Sequence, residues 1–411
     1  MQYSLLLPCR LARPLVAVTM LVLAGCQASA PVSDVYAPCT AGQPTLRFAS
    51  FNVLMYRQQE GQLKADLAGA EDPQIQAVAE IIQRTRPDVL LLNEFDYDAT
   101  GESVRLFQSN YLAQSFNGTQ PITYAYTYVL PSNTGVNSGV DLNGDNKISI
   151  PEDAQGYGLF PGQYAMALLS RYPIDLPNAR SFQTFLWQDM PGNLLPDDYY
   201  SAQARSVLRL SSKNHWDVPV TVDGQTIHIL AAHPTPPVFD GPEDRNGRRN
   251  HDEIRLWADY VSAGKADYLY DDQGKRGGLP TNARFLIMGD YNADPRDGDS
   301  RNNAIALLLD HPAVNSTLPP ASDGGRVDAA QEGQANLTHQ TPPGQDTADM
   351  NPERNGNLRI DYALPSEAGM SLRCSGVFWP DPDSPLRYLV GEGYPVVSSD
   401  HRMVWIDVTI Q

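Results

Sequence analysis

The spacing of apolar residues in the N-terminal part of the chain separates strands from a helix. Residues 46–54 alternate and then become continuously apolar, which predicts a first strand. Residues 74–85 carry apolar side chains at helical spacing, and Asp72-Pro73 in front of them is a helix-start signal. The apolar run 89–92 then predicts a second, buried strand. The order strand–helix–strand is typical of α/β folds.

The rest of the chain continues with short strands, two helices and long polar loops. Helical spacing recurs at residues 102–114 and 252–261. Strands are predicted at 164–169, 205–210, 218–222, 226–232, 285–288, 359–364 and 403–410. Asp223-Gly224 predicts a hairpin turn, whereas residues 131–162 and 320–357 are polar and loop-like. The pattern predicts one α/β domain, residues 44–411, with two mixed sheets packed together and helices outside.

The first 25 residues have the pattern of an export signal. Two arginines precede the apolar run 15–23, which is too short for a permanent membrane-spanning helix. The run is followed by Ala-Gly-Cys26, so that this segment resembles the lipobox of bacterial lipoproteins. That resemblance implies a signal peptide at 1–25, a lipid-modified Cys26 and a tether at 26–43. An ordinary signal peptide cut at a small residue is the alternative.

The same segment predicts where the protein resides and how its cysteines pair. Residue 27 is Gln rather than Asp, which by the rule for such lipoproteins favours the outer membrane of a two-membrane bacterium. We therefore expect an extracytoplasmic protein, tethered to the membrane through its lipid anchor. Cys9 leaves with the signal and Cys26 carries lipid, so Cys39 and Cys374 remain. In an oxidising compartment these two thiols predict one disulfide.

The composition is acidic. The formal net charge is −18 at pH 7, and loss of residues 1–25 removes two arginines and no acid, which gives −20. An acidic surface offers no electrostatic attraction to the phosphate backbone of nucleic acids. We therefore expect nucleic acid only as a substrate, and we expect a monomer.

Polar residues that can bind metals or exchange protons follow the apolar runs. A carboxylate at a strand end is where open α/β sheets place their chemistry, and an adjacent imidazole can hold a metal or move a proton. A single strand-end Asp is usually a cap or a turn, but eight such residues are hard to explain by capping. They are Asn52, Glu94, His233, Asp290, Asn292, Asp361, Asp400 and His401.

The segments around these residues, in this order, resemble the endonuclease/exonuclease/phosphatase superfamily. The resemblance covers nearly the whole mature chain. It rests on Phe51-Asn52-Val53, Leu92-Asn93-Glu94, Leu168 to Ile174, His233, Gly289-Asp290-Tyr291-Asn292, Arg359 to Tyr362 and Ser399-Asp400-His401. It implies a four-layer α/β sandwich, in which two central mixed β-sheets are flanked by helices. It also implies hydrolysis of phosphate esters with a divalent metal, Mg²⁺ or Mn²⁺.

By this resemblance Glu94 is the main ligand of the catalytic metal, with Asn52 beside it and Asp400 as a second carboxylate. A hard cation held by oxygen ligands neutralises the non-bridging oxygens of a phosphate ester. Some relatives carry an Asp two residues after the first Asn, but this chain has Leu54 there. One metal ion is therefore favoured over two.

The resemblance also implies a role for each remaining strand-end residue. Asp290 orients or deprotonates the attacking water, and Asn292 donates hydrogen bonds to the transition state. His401, whose tautomer Asp361 fixes, carries or receives a proton. His233 binds the phosphate or protonates the leaving oxygen.

An arginine-rich segment follows His233 and is a second candidate for phosphate binding. Arg245, Arg248 and Arg249 lie within residues 240–250, and a guanidinium can clamp a phosphate through two parallel hydrogen bonds. The alternative is a solvated loop whose charges pair with one another.

A separate loop predicts a structural Ca²⁺ site. Residues 141–152 fit the twelve-position calcium loop, with Asn146 in place of the usual glycine at position six. An ordinary Asn/Gly-rich turn is the alternative. The predicted ligands are Asp141, Asn143, Asp145, the main-chain carbonyl of Lys147, Ser149 and Glu152.

The function favoured by these patterns is metal-dependent hydrolysis of phosphate esters outside the cytoplasm. A secreted nuclease of the same superfamily is the alternative. The inositol polyphosphate phosphatases are disfavoured because their tryptophan-rich signature is missing around Gly289, and the abasic-site repair enzymes because of the export signal and Leu54. A non-catalytic, calcium-binding surface module is opposed by the complete set of strand-end polar residues.

Overall fold

The computed structural model describes residues 45–393 and 396–411. All of them belong to one compact unit, residues 34–411. The predicted signal peptide, the predicted lipidation site at Cys26 and the predicted tether up to residue 43 lie outside the described residues.

Eleven strands and seven α-helices, joined by short 3-10 and π-helical turns, make up the described part of the chain. The strands are β1 (Leu46–Met55), β2 (Val89–Phe95), β3 (Tyr126–Tyr128), β4 (Met166–Ser170), β5 (Arg180–Ser181), β6 (His215–Val222), β7 (Gln225–Ala232), β8 (Phe285–Asp290), β9 (Asp361–Pro365), β10 (Met370–Val377) and β11 (Val404–Ile410). The helices are α1 (Gln62–Gly69), α2 (Pro73–Thr85), α3 (Glu102–Phe107), α4 (Ala202–Val207), α5 (Arg245–Tyr260), α6 (Ala306–Leu309) and α7 (Asp323–Glu332).

The strands form two mixed sheets. The first has six strands in the order β10-β11-β1-β2-β4-β3, and β1 and β2 are its parallel pair. The second has five strands in the order β5-β6-β7-β8-β9, with β7 and β8 parallel. The predicted hairpin joins β6 to β7, and both of its turn residues, Asp223 (φ 49°) and Gly224 (φ 76°), adopt the positive φ that such a turn requires.

Side chains of the second sheet point alternately to its two faces and pack into two different hydrophobic cores. In β8, Leu286 and Met288 pack into the core shared with the first sheet, whereas Phe285 and Ile287 pack on the other face, into a core that includes Trp257 of α5. Successive strand residues point to opposite faces, so a strand buried on both sides reads as a continuous apolar run. The sheets therefore pack face to face, with helices on the outside.

Helix α2 covers the outer face of the first sheet and follows from its sequence. Pro73 occupies the first turn, and the Asp72 carboxylate accepts hydrogen bonds from the main-chain N–H groups of Gln74 (2.9 Å) and Ile75 (3.1 Å). Its apolar residues join the same core as β1 and β2. The predicted α/β sandwich of two mixed sheets with flanking helices is confirmed.

Two segments differ from the prediction. The strand predicted at 205–210 is wrong, because the chain forms α4 there, capped by Ser201, whose Oγ accepts from Ala204 N (3.1 Å). Ala204 and Leu208, four residues apart, are both buried. This helical spacing of buried residues determines the local structure, and the alternation of polar and apolar residues does not. Helix α7 lies inside the segment predicted as a loop. The sequence did not predict this helix because it contains two glycines, and glycine disfavours helices.

The described part of the chain has no helix that is long and apolar enough to span a bilayer. Cys374 lies in β10 and is in a disulfide. The predicted partner, Cys39, lies outside the described residues, so the pairing stays a prediction.

Candidate active site

The strand-end polar residues come from both sheets. Parallel strands end at the same edge of a sheet: Asn52 and Glu94 lie near the ends of β1 and β2, while Asp290 ends β8 and His233 follows β7. Asp361 pairs with Asp290 across the β8–β9 ladder. The topology thus places residues that are far apart in the sequence next to one another.

Asp290 is the centre of this group. Its Oδ2 accepts a hydrogen bond from Asn52 Nδ2 at 3.0 Å, and lies 3.4 Å from His233 Nε2 and 3.7 Å from His401 Nε2. Its Oδ1 accepts from the main-chain N–H of Asn292 at 2.9 Å. Because Asn52 belongs to the first sheet and Asp290 to the second, the Asn52–Asp290 hydrogen bond joins the two sheets.

His401 is held by Asp361. Its Nδ1 lies 2.8 Å from Asp361 Oδ2, and the same oxygen accepts a hydrogen bond from Thr347 Oγ1 at 2.8 Å. A carboxylate bonded to Nδ1 fixes the protonated nitrogen and leaves Nε2 facing Asp290. Burial works against charge on His401, but the carboxylates of Asp361 and Asp290 outweigh it and raise the pKa of His401 well above its usual range. The neighbouring carboxylates therefore favour the protonated form of His401.

His233 has the opposite electrostatics. It is 2% exposed, and its Nδ1 is buried without a hydrogen-bond partner among the described residues. Burial, together with the charges of Lys213 and His401, lowers the pKa of His233 well below its usual range. A neutral His233 suits hydrogen bonding to a phosphate better than proton donation.

Glu94 is the predicted metal ligand and has features that fit a cation. Its Oε2 is buried without a hydrogen-bond partner among the described residues, which is unfavourable for a carboxylate unless a cation or donor arrives. Burial raises the pKa of Glu94 to about 7, and the charge of Asp400 acts in the same direction. Oxygen donors of this kind are those that Mg²⁺ and Mn²⁺ prefer.

Three residues with left-handed backbone conformation border the site: Leu54 (φ 50°), Glu94 (φ 58°) and Asn292 (φ 50°). Such conformations are uncommon for residues other than glycine and concentrate at functional sites. The left-handed conformation of Leu54 coincides with a shift in the β1–β2 register between Asn52 and Met55. Such a shift is typical of a β-bulge, which changes the direction of nearby side chains.

A second set of possible metal ligands overlaps the residues that are predicted to transfer protons. Asp290, Asp361 and His401 each offer a ligand atom within 4.8 Å of the others, so the group can hold a metal. In the structure, however, His401 Nδ1 and Asp361 Oδ2 are 2.8 Å apart and engage each other. Glu94, with its unpartnered oxygen, is chemically the better starting point for a metal site.

The predicted phosphate-binding arginines lie in α5 rather than in a loop, because the helix begins seven residues earlier than predicted, at Arg245 instead of residue 252. Arg245 pairs with Glu243, and Arg248 Nε donates to the main-chain carbonyl of that same residue at 3.0 Å. Arg249 is buried and donates to three main-chain carbonyls, those of Leu210, Gln155 and Arg209. We therefore correct the expectation for Arg249, which is structural.

Two residues near the site were not found from the sequence. Thr347 Oγ1 holds Asp361, but lies in a segment that looked like a polar loop. Lys213 lies just before β6 and is 7% exposed. A lysine between polar residues gives no sign in the sequence that it will be buried.

The predicted calcium loop, residues 141–152, is organised by its own side chains. The Asp141 carboxylate accepts from the main-chain N–H of Asn146 at 2.7 Å, and Asn146 has the positive φ (63°) expected at position six. Ser149 Oγ lies 3.4 Å from Glu152 Oε2. The side chains of Asn143, Asp145 and Lys147 are exposed. Calcium binding here stays a prediction.

Solved structures similar to this chain include three bacterial proteins. An endonuclease/exonuclease/phosphatase from Beutenbergia cavernae is 17% identical, with a TM-score of 0.47 over 90% of this chain and 72% of that one. Sphingomyelinase C from Streptomyces griseocarneus is 14% identical (TM-score 0.46; 89% and 99%). A beta toxin mutant from Staphylococcus aureus with bound magnesium ions is 16% identical (TM-score 0.46; 90% and 100%). These identities are too low to transfer any activity.

A comparison with curated proteins gave no significant match. The model of the endonuclease/exonuclease/phosphatase family matches residues 49–401, a range that includes all eight strand-end residues. The chain therefore belongs to the endonuclease/exonuclease/phosphatase family.

Proposed function

We propose that this protein is a divalent-metal-dependent phosphoesterase that acts on small or lipid-linked phosphate esters outside the cytoplasm, as a monomer. Hydrolysis of phosphate esters is the chemistry of its family. The observation that carries the proposal is that a hydrogen-bonded carboxylate, Asp290, lies 3.7 Å from His401 Nε2 in a site where a buried Glu94 oxygen has no hydrogen-bond partner among the described residues. An acidic surface supports small substrates over nucleic acid.

Glu94, with Asn52 and Asp400, would hold one Mg²⁺ or Mn²⁺ ion. Such an ion neutralises the non-bridging oxygens of the substrate phosphate. Asn52 Nδ2 donates to Asp290 and its Oδ1 accepts from Leu54 N at 3.2 Å, so the amide is held in one orientation, with its nitrogen towards the proposed base.

The protein side chains divide the proton transfers between them. Water attacks phosphorus as Asp290 accepts its proton, and the bond to the leaving oxygen breaks as His401 Nε2 supplies a proton to that oxygen. Asp361 stabilises the imidazolium beforehand through its contact with Nδ1. The neutral His233 donates to a non-bridging oxygen, and the Asn292 amide, held by Pro234 O at 3.1 Å, lies beside it.

The experiment is hydrolysis of bis-p-nitrophenyl phosphate, p-nitrophenyl phosphate and plasmid DNA, with Mg²⁺ or Mn²⁺ and with EDTA. We expect turnover of the small esters that EDTA abolishes and added metal restores. Full activity after exhaustive chelation would contradict the proposal. Cleavage of plasmid DNA in preference to the small esters would instead support the secreted nuclease.

We further propose that Cys26 carries a lipid that anchors the enzyme to the membrane, the outer one in a two-membrane bacterium. Metabolic labelling with palmitate should mark the wild type and not Cys26→Ala, because the sulfur is the acceptor. Cys39→Ala is the matched control and should keep the label. Label on both the wild type and Cys26→Ala, or on neither, would refute the lipid anchor, and an ordinary cleaved signal peptide predicts label on neither.

We also propose that Ca²⁺ stabilises the fold through residues 141–152. A ligand that binds only the folded state raises Tm, so Ca²⁺ should raise the Tm of the wild type, and much less that of Asp141→Ala/Glu152→Ala. The double variant Asp310→Ala/Glu353→Ala removes two other exposed carboxylates and should respond like the wild type. An equal Ca²⁺ response in all three proteins would rule out this site.

A further inference from the structure

Lys213 is buried in a way that lysines seldom are. It is 7% exposed, although a lysine usually keeps its ammonium group in water while burying its carbon chain. Among the described residues no carboxylate oxygen lies within 4.0 Å of its Nζ, since Lys213 takes part in none of their ion pairs. A buried charge without a carboxylate in direct contact is unfavourable, so the position is suited to an anion that binds against the ammonium.

The surroundings of the ammonium group place it at the site. Its one hydrogen-bond contact with the described part of the chain is long, 3.5 Å from Nζ to the main-chain oxygen of Pro234. The same oxygen accepts from Asn292 Nδ2 at 3.1 Å, so the ammonium lies beside the Asn292 amide. Burial lowers the pKa of Lys213 below its usual range, and the charges of Glu253, Glu94 and Asp290, which lie near enough to act on it, oppose this shift.

Hydrogen bonds fix the main chain around Lys213, which restricts the positions that its side chain can reach. Glu253 of α5 is fully buried, and its Oε1 accepts from both the main-chain N–H (2.6 Å) and the hydroxyl (3.0 Å) of Ser212. Its Oε2 accepts from Thr235 N at 2.6 Å. Glu253 thus ties the segment that carries Lys213 to the segment that follows His233, and its own oxygens are occupied.

We propose that Lys213 is a catalytic residue that binds a non-bridging oxygen of the substrate phosphate, beside Asn292. The inference rests on the proposed phosphoesterase function and adds a fixed positive charge to it. The phosphate supplies a direct anionic partner for an ammonium that has no carboxylate oxygen within 4.0 Å among the described residues. In return, a preorganised donor in a water-poor site stabilises the charge that develops on the phosphoryl oxygens in the transition state.

The test compares Lys213→Met with Lys265→Met, which removes a lysine whose side chain is exposed. Lys213→Met should lower kcat/KM for bis-p-nitrophenyl phosphate by about 10²- to 10³-fold, the loss typical of one removed oxyanion donor. Its Tm should stay level or rise, because replacing a buried charge by an apolar side chain of similar size is often neutral or stabilising. Lys265→Met should match the wild type in both measurements.

A direct binding measurement separates this role from a structural one. Inorganic phosphate titrated into the Mg²⁺-loaded protein in a calorimeter should bind the wild type and Lys213→Arg, which keeps the charge, more tightly than Lys213→Met. The inference is overturned if Lys213→Met binds phosphate as the wild type does, or if its kcat/KM stays within about threefold. Absence of metal-dependent turnover in the wild type would refute the proposed function, and phosphate binding would still decide the role of Lys213.

Discussion

An Asp290→Asn variant should keep its fold and lose about 10²- to 10⁴-fold in kcat, the usual effect of removing a general base. An amide is nearly the same size as a carboxylate but cannot take a proton from water. Asp290 accepts hydrogen bonds at both oxygens, from Asn292 N and Asn52 Nδ2, and an amide has only one oxygen. One of these bonds must therefore change, at a cost of about 1–3 kcal/mol in the free energy of unfolding.

The measurement is kcat for bis-p-nitrophenyl phosphate across a range of Mg²⁺ concentrations, together with thermal melting. The concentration of Mg²⁺ for half-activation should stay near that of the wild type, because the proposed metal ligand is Glu94 and not Asp290. Asp323→Asn is the matched control, since its carboxylate is 84% exposed, and should behave as the wild type. An Asp290→Asn variant that retained more than about a tenth of the wild-type rate would exclude Asp290 as the base.

His401→Ala should show a loss of comparable size, about 10²- to 10⁴-fold in kcat, for the loss of a general acid. The cavity left by the imidazole lies between Asp361 and Asp290, which held it at 2.8 and 3.7 Å. Imidazole added to the assay should restore part of the activity. Asp361→Asn should lose less activity than His401→Ala, because the Asp361 carboxylate is expected to orient the imidazole and favour its protonation without contacting the substrate.

His228→Ala serves as the control for this series. His228 lies in β7 and pairs with Asp217 at 2.7 Å, away from the group around Asp290, and its removal should leave kcat near the wild-type value. If His401→Ala were fully active, or if Asp361→Asn were more damaging than His401→Ala, the assignment of the proton donor would be wrong.

The predictable part of the fold is the part in which burial and periodicity agree. β8 is apolar on both faces because it lies between two cores, and a run of this kind is visible in the sequence. β10 was missed because, apart from its ends, its residues are mostly half-buried, so neither a continuous nor an alternating apolar pattern marks it. Such a strand is defined mainly by its ladder with β11.

The candidate site divides in the same way. Asp290 and Glu94 could be singled out because each ends an apolar run, and the family resemblance supplied their roles. Their contacts could not be predicted, because hydrogen bonds such as Asn52–Asp290 depend on how the two sheets meet. Thr347 and Lys213 lie in irregular segments, where no period relates a residue to its neighbours, so only the folded chain shows that they are buried beside the site.

The hydrogen bond between Asn52 and Asp290 joins the two sheets. Measuring turnover during refolding should therefore show when the sheets have come together. In the proposed mechanism neither sheet is active alone, since Glu94, the proposed metal ligand, lies in the first sheet and Asp290, the proposed base, in the second. A refolding chain can recover its circular dichroism once strands and helices have formed, but it regains activity only when the sheets have docked in register. Conversely, a small opening between the two sheets should abolish activity before the protein unfolds.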